Sequence, residues 1–418
     1  MELAERLDRI ARGLRQAQRR IIEAENTPDK RKRLREFPAA EVARLLGVSA
    51  ADLKRLVKQP GFPPGRAVWP GRRTFSLEDL AAARAWLARD TAPDSAERRR
   101  LSPGRQGAEP LQVVSFVNFK GGSGKTTSSV LFAQYLALRG YRVLLVDLDA
   151  QASATASFGV SPAEEVPAEG SFAAWALRPA GMDTAAVGEL AAALPRPTYW
   201  PGVDLVPAGP SLHAAEYELV RRGVGGAAAM AGAGGVARDP GAELRNFLGA
   251  VAERYDVVAC DTRPDVNMLM VNALRAATGL VVPVQANMVD LASCAEFMAF
   301  LAAHTRETAV AERGAAAPFL RVLVTRLRQG DRSQAAVLEA MKARFGDLLL
   351  PVEMLETTIL GASALLKETP YEYEPGDGRR AYDRAIEALD AVNRAVELEL
   401  LRAWGRAEEA TAAMEAAA

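Results

Sequence analysis

The chain has 418 residues, 49% apolar and 25% charged, ordinary usage for a folded protein of two or three domains. No run approaches the roughly 18 uncharged apolar residues of a membrane span, and Met1–Arg20 is too charged for a secretory signal. Cys260, Cys294, His213 and His304 are scattered without ligand spacing, which argues against a zinc site or a disulfide framework. The expectation is a soluble cytoplasmic protein. A net charge of zero hides an asymmetry: residues 1–110 carry 24 Lys and Arg against 15 Asp and Glu, leaving 28 against 37 for the rest. The basic front end suggests an anionic partner, nucleic acid first, with a merely solvated surface as the alternative.

Leu3, Leu7, Ile10, Leu14, Ala17 and Ile21 form an apolar seam of period 3.5 in an Arg/Glu-rich run. This predicts a dimerisation helix over 1–30, or else a helix packed on its own domain. The next segment, 31–90, reads as helix, turn, helix and hairpin. Pro38–Leu46 is a short helix stopped at Gly47-Val48, and Ser49 caps a second over Ala50–Lys58. Two short helices across a Gly-containing turn are the helix-turn-helix arrangement, whose second helix enters the major groove of DNA. Ala67–Phe75 reads as a β-hairpin, and Ser76-Leu-Glu-Asp79 as a capping box opening a further helix. Lys54, Arg55 and Lys58 on the second helix, with Arg72 and Arg73 near the hairpin tip, are the candidate DNA contacts. A trihelical unit with no DNA role is the alternative. Residues 91–110 are polar, rich in Pro and Gly, and read as a linker. Deleting residues 1–100 should then spare the remainder.

From Leu111 to 418 the pattern is α/β. Strands are expected at Val113–Val117, Arg142–Val146, Tyr255–Cys260, Leu280–Val284 and Leu320–Val324, with a helix over Lys125–Arg139. Continuous apolar strands alternating with helices imply a parallel sheet covered on both faces. Residues 221–240 are low in complexity and read as an insertion, and a long helix is expected from Asp383.

Lys120-Gly-Gly-Ser-Gly-Lys-Thr-Thr127 lies directly between a strand and a helix. In such a turn, successive backbone N–H groups and the helix N-terminus cradle phosphate. Gly121, Gly122, Ser123, Gly124, Lys125, Thr126 and Thr127 are the candidate nucleotide-binding residues. Lys125 would reach the β/γ-phosphates and the Thr126 hydroxyl would ligate Mg²⁺. Asp147, Asp149 and Gln151 follow the second expected strand and Asp261 ends the third, all at the edge where a parallel sheet binds ligands. Plain helix capping is the alternative for each aspartate.

The segments "KGGSGKTT", "VLLVDLDAQASAT" and "YDVVACDTRPDVN" resemble the deviant Walker motifs of the ParA/MinD superfamily, and within it the ParA-type DNA partition ATPases. "FPAAEVARLLGVS", "GRRTFSLEDL" and "KETPYEYEPG" are similar to the long plasmid-borne form, whose N-terminus is a winged helix-turn-helix. The resemblance covers most of 37–90 and 111–390 and is weak over 160–240. It implies a P-loop NTPase fold and a homodimer closed face to face by ATP. In that dimer Lys120 reaches the other subunit's phosphates, and Lys120, Lys125 and Asp149 are catalytic, Asp149 orienting the attacking water. Thr126, Asp147 and Asp261 would form the Mg²⁺ site. It further implies sequence-independent binding of the ATP dimer to nucleoid DNA, a ParB-type centromere-binding partner that stimulates hydrolysis, and operator binding with autorepression by the N-terminal domain.

The pattern is not complete. Asp261-Thr-Arg-Pro264 replaces the family's Asp-x-Pro-Pro, and a salt bridge is expected for Arg263. Leu350-Pro351-Val352-Glu353 lacks the family's arginine, which leaves Arg326, Arg328, Arg332, Lys367, Arg379 and Arg380 as candidates for non-specific DNA contact. A MinD-like membrane ATPase fits poorly, because the tail from Arg394 is acidic and Ala-rich with Trp404 its only aromatic residue. An Fe–S relative lacks paired cysteines. A repressor whose oligomeric state is set by ATP stays open.

Overall fold

The computed structural model describes residues 6, 9–10, 12–13, 16, 32–69, 72–92, 95–224, 238–311, 319–365, 368–374 and 378–409. The expected seam over 3–21 falls outside these residues, Ile10 excepted, as do most of the 221–240 stretch and Lys367.

Phe37–Pro38 (β1) leads into α1 (Ala39–Leu46), which stops at Gly47 because a left-handed residue with φ 65° ends the helical ladder. Ser49 accepts the Asp52 N–H at 3.0 Å and opens α2 (Ala50–Leu56). Strands β2 (Arg66–Trp69) and β3 (Arg72–Phe75) pair antiparallel, and β1 takes the other edge of β3. Ser76 and Asp79 exchange capping bonds at the start of α3 (Leu77–Ala88).

Residues 95–110 of the stretch read as a linker pack against their neighbours. They contain α4 (Ala96–Leu101), from which Arg100 donates to the Leu46 carbonyl at 2.6 Å. Beyond it the Arg105 N–H donates to Asp256, and Arg406 donates to the Pro103 and Gly104 carbonyls at 2.9 and 3.0 Å.

The body is a seven-stranded sheet of β4 (Gln112–Phe116), β5 (Val143–Asp147), β6 (Arg196–Pro197), β7 (Val203–Val206), β8 (Val257–Asp261), β9 (Gly279–Gln285) and β10 (Phe319–Thr325). Its order is β10-β9-β4-β8-β5-β7-β6, parallel throughout except for β6. Every residue of β4, β5 and β8 is buried, which is why they read as mostly apolar runs, broken in β4 by Ser115 and ended in β5 and β8 by Asp147 and Asp261. No apolar run marks β6 and β7, which are short and, in β7, interrupted by Asp204.

Helix α5 (Lys125–Arg139) runs from the loop after β4 across the sheet, with α6 (Leu212–Val224), α7 (Met288–Ala311) and α8 (Arg379–Ala403) among the covering helices. One continuous apolar cluster joins Phe37, Leu46 and Leu80 of the N-terminal unit to Leu136 and Tyr141 of the body and to Tyr382 and Leu389 of α8. Arg84 of α3 is buried at the far end of α5 and donates to the Leu138 carbonyl. Burial, with Arg139 and Arg100 nearby, pushes its guanidinium down to about 9.

Candidate nucleotide site

The loop between β4 and α5 turns through Gly122 (φ 74°) and Gly124 (φ 100°), a conformation that glycine adopts without steric cost. A Cβ at Gly122 would meet nothing within 4 Å, whereas one at Gly124 would press on Thr325 at 3.3 Å. Three strand ends brace the loop. Asn118 accepts the Lys120 N–H at 3.1 Å and donates to the Pro283 carbonyl at 2.7 Å. Gln285 donates to the Gly122 carbonyl at 2.8 Å, and the Thr325 hydroxyl to the Ser123 carbonyl at 2.7 Å. Sequence reasoning missed Asn118, Gln285 and Thr325, because no local pattern connects β4, β9 and β10; only the parallel sheet brings their C-terminal ends together.

Lys125, the first residue of α5, is 5% exposed and donates to the Lys120 carbonyl at 2.9 Å. Burial pushes its ammonium down to about 8, against the pull of Asp261 and Asp149. Asp147 and Asp261 end β5 and β8 as register partners, yet their surroundings differ. Asp147 is bonded on both oxygens: one accepts the Asp149 N–H at 3.1 Å, the other the Thr155 N–H and hydroxyl at 2.9 and 2.7 Å. Burial still raises its carboxyl to about 6. Asp261 is fully buried and neither oxygen has a formed hydrogen bond among the described residues. Burial and then Asp147 raise it well above the carboxylate range, the nearby Thr126 hydroxyl offsetting part of this. A buried, unpaired carboxylate next to a hydroxyl fits a divalent cation, whereas Asp147, expected to share that cation site, has both oxygens bonded and holds the loop that carries Asp149. Asp149 is buried and accepts the Gln151 N–H at 2.9 Å.

Gly124, Thr126 and Thr127 line a cavity of about 640 Å³ together with Arg326, Met354 and Glu356. Arg326 takes a left-handed φ of 51°, unusual for a non-glycine residue. Lys120 Nζ lies 3.7 Å from Asp290, and Arg263 forms its expected ion pair, with Glu216 at 3.9 Å.

The N-terminal unit carries a second hollow, about 580 Å³, between α2 and the β2–β3 hairpin. Lys54, Lys58, Arg72 and Arg73 line it, with Ala39, Leu53, Val68 and Trp69 among the other linings. Arg55 does not line it; it is exposed on α2 and paired with Asp52. Arg73 also donates to the Pro64 carbonyl at 2.6 Å. No helix among the described residues is long and apolar enough to cross a membrane.

Residues 111–309 match the family model described as an AAA domain. A candidate replication protein A of Rhizobium rhizogenes is 36% identical over 390 residues, 91% of this chain and 90% of that one. The chromosome-partitioning ATPase Soj of Thermus thermophilus is 33% identical, covering 67% of this chain and 96% of Soj. Protein SopA of Escherichia coli K12 is 27% identical over 83% of each chain. In fold, a solved partition protein is similar over 96% of this chain and 99% of its own, with a TM-score of 0.60 at 17% identity.

Proposed function

Because the chain belongs to the family of ParA-type partition ATPases, we propose that it is a Mg²⁺-dependent ATPase that partitions DNA. The observation that carries this reading is the unpaired Asp261 carboxylate beside Thr126 and Lys125, under a glycine turn. The N–H groups from Gly121 to Thr127 wrap the β- and γ-phosphates, and Lys125 adds its charge to them. Thr126 and Asp261 hold the cation, which supplies neutralisation of the phosphate charge. Asp149, fixed through Asp147 and Gln151, orients the attacking water. Lys120 leaves Asp290 and reaches the nucleotide of a second copy, so that ATP closes a homodimer.

The ATP-bound dimer then holds DNA without sequence preference until a ParB-type partner stimulates hydrolysis and releases it. The unit at 31–90 acts as a winged helix-turn-helix that binds an operator through Lys54, Arg55, Lys58, Arg72 and Arg73 and represses the protein's own operon. The test is the anisotropy of a random-sequence duplex titrated with protein, without nucleotide, with ADP and with ATP–Mg²⁺, at fixed salt. Binding that requires ATP is the expected result. Equal binding in all three states would leave a repressor driven by the N-terminal unit alone.

A further inference from the structure

The three-stranded sheet of the N-terminal unit exposes β2 as an edge on which all four residues, Arg66-Ala-Val-Trp69, are open to solvent. Trp69 is 72% exposed and Val68 49%. The Trp69 indole makes no ring, cation or hydrogen-bond contact with another described residue, while the chain's other tryptophans (Trp86, Trp175, Trp200 and Trp404) are partly or wholly buried. The register slips between Ala67 and Trp69, where Ala67 pairs with Arg73 and Trp69 with Arg72. Such a bulge turns side chains out of the regular alternation and re-aims them. An indole left in water on a free edge forgoes the burial that ordinarily makes tryptophan favourable in a protein.

The ring is not isolated from charge. Trp69 and Val68 border the same hollow as Lys54, Lys58, Arg72 and Arg73, and among the described residues no acidic side chain lines it. Four cations without a counter-charge, flanked by an aromatic face, match a polyanion that also offers apolar surface. A duplex does so through its sugars and the edges of its bases. A second copy of this chain meeting β2 edge to edge would offer these four cations no counter-charge, since Arg66, the one charge on β2, is already paired with Glu36.

We propose that Trp69 is an apolar DNA contact of the N-terminal unit, packing its indole against the sugars and base edges of a duplex whose phosphates are held by Lys54, Lys58, Arg72 and Arg73. This rests on the DNA-binding reading of residues 31–90 and adds to it a contact that charge alone does not supply. A β2 tip of this kind makes binding depend on how readily the contacted step opens, and so contributes to site choice beyond the salt-dependent phosphate term.

The experiment uses the full-length, nucleotide-free protein and a fluorescein-labelled 40-bp duplex drawn from a random pool enriched on that protein. Anisotropy at fixed salt is measured for the wild type, Trp69→Ala, Trp69→Phe and Lys54→Ala/Lys58→Ala. Acrylamide quenching of tryptophan emission is read with and without duplex. Trp69→Ala should weaken binding about tenfold without changing the slope of affinity against salt, and Trp69→Phe should recover much of the loss. The lysine pair should lower that slope by about two. Duplex should protect the exposed emission component, which Trp69→Phe lacks. Wild-type affinity in Trp69→Ala, with a ring still open to acrylamide in the complex, overturns the proposal while the lysine result keeps the DNA-binding reading. Protection that grows with protein concentration in the absence of duplex, and sediments as a dimer lost in Trp69→Ala, assigns β2 to self-association and also overturns it. Failure of the wild type to enrich any duplex overturns both.

Discussion

Two side chains of the nucleotide site are held at a cost to the empty protein. The Lys125 ammonium falls from 10.5 to about 8 on burial. Its folded pKa lies below its unfolded one, so the stability linked to it is present above pH 10.5 and lost as pH falls through 8; near pH 7 the penalty is complete, on the order of 3 kcal/mol. Asp261 is shifted the other way. Its folded pKa is raised, so the linked stability is present below the ordinary carboxylate range and lost as pH rises toward neutrality. A phosphate and a cation relieve both penalties at once. Lys125→Met should therefore raise the melting temperature of the nucleotide-free protein at pH 7 by about 2–5 °C while abolishing ATP binding. Calorimetry and a labelled-ATP titration check both halves. Asp261→Asn should likewise stabilise the empty protein and remove the Mg²⁺ dependence of ATP binding; a lower melting temperature would mean that its carboxylate is structurally satisfied. ATP affinity of the wild type should fall about tenfold per pH unit above pH 8 as Lys125 loses its proton, and a flat titration from pH 7.5 to 9.5 would contradict the assignment.

At the scale of elements, α5 connects the two ends of the molecule. Its N-terminus carries Lys125 and Thr126, and its last turn is held by Arg84 of the N-terminal unit. Next to this contact, Tyr135 and Tyr141 donate to Glu397 of α8 at 2.7 and 2.9 Å, and Arg139 lies 3.6 Å from the same carboxylate. Buried polar groups with several partners fix one arrangement of the helices, since each broken bond leaves a desolvated atom behind. Arg84→Ala removes the donor to Leu138 and leaves a gap beside Gly140, but it also removes a cation held at a desolvation cost, so the two effects oppose each other in overall stability. The loss of the contact should appear instead as increased cleavage within 91–110 under limited proteolysis. An unchanged digest would make the contact incidental.

On the scale of the whole molecule, the N-terminal unit and the sheet domain share one apolar core, and ion pairs such as Arg44 with Asp390 at 2.9 Å cross the same boundary. The sequence reading, with a free linker, expects removal of residues 1–100 to leave the ATPase intact. The shared core predicts otherwise. The truncated chain would expose Leu136, Tyr141, Tyr382 and Leu389 to water and should aggregate or melt several degrees lower, measurable by light scattering during a thermal ramp. Operator binding is therefore better tested by substitutions such as Lys54→Ala than by truncation.

Much of this protein could be read from its residues alone, and for physical reasons. The glycine turn, Lys125 and Thr126 are contiguous, and the buried strands are mostly apolar runs, so local sequence encodes both the phosphate loop and the parallel sheet. The capping residues Ser49, Ser76 and Asp79 act within four positions of their partners and were legible for the same reason. What the sequence left undecided depends on groups far apart in the chain. That both Asp147 oxygens are bonded, by Asp149 and Thr155, while Asp261 is left bare, that Asn118, Gln285 and Thr325 brace the loop, and that Arg84 ends up against α5 follow from sheet order and packing. A carboxylate's role is set by whether its oxygens are already bonded, and only the tertiary structure decides which donors arrive.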